Sequence, residues 1–139
     1  MTKQQSHAQG QEQTTPKTVS IMDLPFVKDE KAKGGKSRRN FWSVPKAESY
    51  GQACNAGRIY AREYLQYLQS SPMAGSGTTG WLVKGMAKCK GNERGYAVGF
   101  FSALEEFLSY AAENVDYKTH INHSIIRSVE ISAEAYNHE

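Results

Sequence analysis

Lys31, Lys33, Lys36, Arg38 and Arg39 crowd into the nine residues from 31 to 39, just ahead of Phe41 and Trp42. Cations at that density neutralise phosphates, and flat aromatic side chains beside them stack on bases. A second basic group, Lys84, Lys88, Lys90 and Arg94, follows in the latter half of the chain. Together these eleven residues form the candidate contact set for an anionic partner, whether DNA, RNA or the acidic surface of a protein. The same pattern also has plain structural uses. Lysines on an arm keep it solvated, and Phe41 and Trp42 can serve as the apolar entry to a helix.

A different chemistry is written just upstream. The stretch SIMDLPFV brings Ile21, Met22, Leu24, Phe26 and Val27 together, and Pro25 argues against a helix through them. Such a piece either folds back on the body of the protein or docks in a groove of a partner as a linear motif. It is carried forward as the candidate docking motif, spanning 19–27, with the basic run at 28–39 behind it.

Patterns that suggest catalysis fail on inspection. GSGTTG at 75–80 matches G-x-G-x-x-G, but no strand precedes it and residues 96–101 supply no acid for a ribose. Gly35-Lys36-Ser37 resembles the end of a P-loop, yet position 30, where the first glycine belongs, is Glu30. Asp116, His120 and His123 share a helical face and imitate a carboxylate-plus-two-histidine ligand set. That face continues into Arg127, Glu130 and Glu134, which reads as a solvated stripe. Cys54 and Cys89 have neither zinc spacing nor an activating sequence context. Glu105 and Glu106 are adjacent on a helix and diverge. The expectation is a non-enzymatic protein with no cofactor and no metal.

The elements that must position these residues are helical. Residues 1–18 are polar and lack the apolar surface that would offset ordering, so an unfolded tail is expected. With the motif and the basic run it makes a disordered arm over 1–40, ahead of a helical domain over 41–139. The first helix is expected from an N-cap at Ser43 to Gln69, with Tyr50, Cys54, Gly57, Ala61, Tyr64, Leu65 and Leu68 on its apolar stripe. Ala53, Gly57 and Ala61 form a ladder of small side chains that admits a close neighbour, either another helix of the same chain or a second copy in a homodimer. SSPMAGSGTTG at 70–80 reads as a flexible loop.

The second helix is expected over Thr79–Cys89. The third, Asn92–Asn114, carries Tyr96, Phe100, Ala103, Leu104, Phe107, Leu108 and Ala111 on a broad face that belongs at the centre of the core. Residues 119–136 keep helical spacing at Ile121, Ile125 and Val129, although β-branched residues are frequent there. The fold expected is therefore all-α, a small domain of four helices behind a disordered basic arm. A helix-turn-helix reading of the second and third helices fails, since the third presents Phe100, Phe101, Glu105 and Glu106 where a groove-reading helix needs basic and polar residues.

Charge is segregated along the chain. Residues 1–94 carry fifteen Lys or Arg against seven acids, and residues 95–139 carry two against seven. The front favours an anionic partner and the back repels one. Two cysteines, the absence of a signal-peptide core and the absence of a long apolar run lead to the expectation of a cytoplasmic protein with no membrane span. The function expected is that of an accessory or regulatory protein that binds a protein or nucleoprotein assembly. Direct, largely sequence-independent binding of nucleic acid by the arm and residues 84–94 is the alternative.

Overall fold

The computed structural model describes residues 18–70 and 77–136. The tail at 1–17 and the centre of the loop at 71–76 lie outside the described residues, and so do Gly75 and Ser76 of the G-x-G-x-x-G pattern. The order of elements is a short 3-10 turn at Ile21–Asp23, β1 (Lys28–Lys31), β2 (Ser37–Asn40), α1 (Tyr50–Ser70), α2 (Thr78–Met86), a 3-10 turn at Gly91–Glu93, α3 (Arg94–Asn114) and α4 (Tyr117–Tyr136). The protein is mostly helical, with four helices and one antiparallel strand pair among the described residues.

The mostly helical fold is the one expected, with one addition: residues 28–40, expected within a disordered arm, form a strand pair. β1 and β2 pair antiparallel, with Asp29 opposite Arg39 and Glu30 opposite Arg38. Opposite charges facing each other across a ladder stabilise it, here at the level of a few tenths of a kcal/mol per pair, roughly 0.2–1. Gly34 and Gly35 turn the chain at φ 90 and 76, values open to glycine and costly for other residues. The Ala32 N–H donates to the Lys36 carbonyl at 2.8 Å and closes the turn. The basic run is therefore a structured hairpin whose cations have partly been given acidic neighbours.

The start of α1 also differs from expectation. Ser43 lies in extended chain, and its N–H donates to the Phe26 carbonyl at 2.7 Å. The working N-cap is Ser49, whose Oγ accepts from the Gln52 N–H at 3.1 Å, while Gln52 Oε1 accepts from Glu48 N–H at 3.1 Å. Serine followed three residues later by glutamine is a capping signature, and it outcompetes Ser43, which is committed to the core segment.

The core is built where α1 crosses α3. Gly95 lies against Ala53, Gly99 against the Cys54 backbone and Gly57 against Tyr96, so the two backbones nearly touch: a Cβ on Gly57 would fall on the Tyr96 carbonyl oxygen. The small-residue ladder is thus consumed inside one molecule, and that face keeps no exposed surface to offer a second copy. Above this crossing sits an aromatic cluster drawn from four segments. Phe26 and Trp42 are 5.0 Å apart, Trp42 and Phe100 5.4 Å, and Phe26 and Tyr60 5.3 Å. Such tilted and edge-on pairs each add about 0.5–1.5 kcal/mol beyond simple burial.

The cluster takes up most of the candidate docking motif, the fold-back use that the sequence also allows. Leu24, Phe26 and Val27 are core residues, with Phe26 at 0 % exposure, and Ile21 is half-buried; Met22 alone of the five is exposed. Burying them here gives the short N-terminal segment its hold on the body. α3 needs a smaller correction: Tyr96 and Phe100 are buried, whereas Phe107 and Leu108 are exposed, so only its first half is central. Residues 119–136 are helical, as the periodicity predicts. No helix among the described residues is long and apolar enough to cross a membrane.

Candidate functional site

β2 and the two residues after it form one wall of a groove, and α2 with the turn that follows it forms the other. The groove has a volume of about 560 Å³ and is lined by Arg38, Arg39, Phe41 and Trp42 on one side and by Trp81, Lys84, Gly85 and Lys88 on the other. Trp81, Lys84, Gly85 and Lys88 follow the i, i+3, i+4, i+7 spacing that places residues on one side of a helix. An adjoining hollow of about 500 Å³ shares Glu30, Asn40, Trp42, Lys88 and Cys89 and adds Lys90.

The wall on the hairpin side is held by a short relay. Glu30 Oε1 accepts from Asn40 Nδ2 at 2.8 Å, and Asn40 Oδ1 accepts from the Trp42 N–H at 3.0 Å. This fixes the angle at which Phe41 and Trp42 leave the strand. Their rings then take separate jobs. Trp42 is 4 % exposed and belongs to the core, which corrects its assignment as a stacking surface for a partner. Its indole N–H is buried beside the Cys89 thiol and makes no hydrogen bond of ordinary length. Phe41 stays at the groove and stacks on Trp81, with centroids 5.9 Å apart and planes 19° from parallel. Trp81 is 54 % exposed. Lys84 Nζ stands 5.2 Å from the Trp81 ring centroid.

The groove's charge is positive. Arg39 Nε donates to Asp29 Oδ1 at 3.0 Å, an exposed pair worth at most about 1 kcal/mol. Arg38 and Lys88 have no ion-pair partner among the described residues. Against these four cations the groove lining has one carboxylate, Glu30, and Asn40 already engages it. The arrangement offers point charges for phosphate or carboxylate oxygens beside an exposed π-surface. It offers no activated nucleophile, because burial and the neighbouring Glu93 raise the Cys89 thiol above its ordinary value and keep it protonated at neutral pH.

Of the predicted contact residues, the structure brings Arg38, Arg39, Phe41, Lys84 and Lys88 to one groove, with Trp42 as its floor and Lys90 next door. Lys31, Lys33, Lys36 and Arg94 line neither hollow. Trp81 was not among them, although its place three residues before Lys84 marks it as a neighbour on the same helix face. Asp116, His120 and His123 line a shallow hollow of about 590 Å³ along α4, together with Arg127. Asp116 spends its carboxylate on the Thr119 N–H, at 3.2 Å, and the Thr119 hydrogen bonds hold its pKa below the ordinary value. No group of three potential metal ligands is assembled among the described residues. No protein-family model, no curated protein and no solved structure matches the chain.

Proposed function

We propose that this is a non-enzymatic binding protein that holds single-stranded nucleic acid, with little sequence preference, in the groove between β2 and α2. The observation that carries the reading is the Phe41–Trp81 stack, half open to solvent and ringed by Arg38, Arg39, Lys84 and Lys88. Phosphates would neutralise the cations while a base lies over the indole, displacing Lys84 toward the backbone. Every base has a π-face, so stacking of this kind tolerates any sequence. An acidic peptide would satisfy the charges and leave the exposed indole without a use. The expected role in a larger protein or nucleoprotein assembly is compatible with this groove.

The test is a salt titration of oligonucleotide binding followed by tryptophan fluorescence. Neutralising three to four phosphates gives a slope of about −2 to −3 in log K against log salt, at roughly 0.7 per phosphate for single strands. Trp81→Ala is expected to weaken binding by about tenfold, in line with roughly 1–3 kcal/mol per stacked base. Arg38→Glu combined with Lys88→Glu should abolish binding without unfolding the chain, since both side chains are exposed. Absence of binding at low salt, or a weak salt response with Trp81→Ala unaffected, refutes the reading.

A further inference from the structure

Every side chain of α4 described by the structure is exposed, although the helix is amphipathic. From Phe107 to Ile131, ten large apolar side chains are 47–66 % exposed. Summed around both helices that is roughly 1,000 Å², and the row on one face of α4 alone reaches about the 300–600 Å² of patches that mark interaction sites.

The sequence narrows the occupant. Residues 2–18 contain no Val, Leu, Ile, Met or aromatic residue, so the N-terminal tail cannot fill an apolar face. An anionic lipid surface is repelled, because residues 95–139 carry seven acids against two Lys or Arg. The row Tyr117, Ile121, Ile125 and Val129 repeats every four residues, the spacing of a ridge that packs into its own counterpart at a crossing near −50°. A two-fold axis through Ile125 pairs Ile125 with itself and Ile121 with Val129, apolar for apolar and nearly equal in size. Self-complementarity of this kind is what an isologous interface requires. We infer that α4, continued by the exposed end of α3, is the homodimer interface, with a second copy of α4 crossing antiparallel at Ile125.

Sedimentation velocity of the full chain across the micromolar range tests this. The expected result is a dimer that becomes a monomer in the Ile121→Glu/Ile125→Glu variant. Because that variant could also lose helix, cysteine cross-linking supplies a second readout. Ile125→Cys should cross-link on mild oxidation, since the axis brings the two thiols together, whereas His123→Cys on the opposite face of α4 should match the wild-type background set by Cys54 and Cys89. A monomeric wild-type chain overturns the inference, and one that binds anionic vesicles assigns the face to lipid instead. Dimers that survive both glutamates, or equal cross-linking at 123 and 125, overturn it as well. None of these outcomes depends on nucleic-acid binding.

Discussion

Gly85 of α2 lies directly against Trp42: a Cβ at position 85 would come within 2.6 Å of Trp42 Cβ. This contact joins the core to the groove, because Trp42 is the groove's floor and Gly85 is part of its opposite wall. Gly85→Ala cannot be absorbed by rotating a flexible side-chain tip, since the opposing atom is next to the backbone. The expected cost is about 1–3 kcal/mol, the range for overpacking. It is checked by denaturant unfolding together with the Trp81 emission, which should shift as α2 is pushed outward.

The α1–α3 crossing should be still less tolerant. Gly57→Ala places a methyl on the Tyr96 carbonyl oxygen, a rigid backbone atom. Separating the helices to make room would open the core along Ala53 and Ala61, so a loss of about 3 kcal/mol or more is expected. Gly51→Ala on the same helix meets nothing within 4 Å and serves as the control. There the expected change is neutral or stabilising by up to about 1 kcal/mol, from glycine's poor helix propensity.

Phe26→Ala distinguishes a core residue from a docking residue. Removing a fully buried ring should cost about 3–5 kcal/mol of folding stability. Met22→Ala, one turn away and exposed, should change stability by less than about 0.5 kcal/mol. Paired thermal melts separate the two. Equal and small effects would falsify the placement of Phe26 in the aromatic cluster.

Stability should fall on the alkaline side. Burial raises the pKa of Cys89, Tyr60 and Tyr64 above their ordinary values of 9.0 for the thiol and 10.0 for the phenols. In the unfolded chain these groups lose protons first, so the native state binds more protons and stability drops with rising pH. The stabilisation is complete below about pH 8 and is lost as pH climbs through 9 and 10 toward the raised native values. Unfolding midpoints at pH 7, 9 and 10.5 read this directly. Tyr64→Phe should flatten part of the slope while giving up the 2.7 Å hydrogen bond to Thr79 Oγ1.

The hairpin's ion pair is expected to matter little for folding. Asp29→Asn should cost no more than about 1 kcal/mol, because both partners are more than 40 % exposed. Its effect belongs to the groove. Freeing Arg39 from Asp29 should tighten binding of an anionic oligonucleotide at low salt, measured by the same fluorescence titration.

Periodicity alone determined α1, α3 and α4 as helices, because apolar residues at three- and four-residue spacing are a local property of the chain. The hairpin left no such trace. Lys28–Lys31 and Ser37–Asn40 are polar on both faces, so no alternation marks a strand; the only local signal was Gly34-Gly35 between acidic and basic pairs. The cationic residues were legible as a set, but their division was not. Arg38 and Arg39 meet Lys84 and Lys88 only because Asn40 fixes the exit of Phe41 and Trp42, and Gly85 lets α2 come down on Trp42.

Composition fixed which residues are apolar and which are charged, and spacing fixed the helices. The tertiary structure decided which apolar residues became interior. Phe26, Trp42, Tyr60 and Phe100 lie far apart in the chain and meet only once α1 has closed on α3, and that contact, being non-local, cannot be read from any single stretch of sequence.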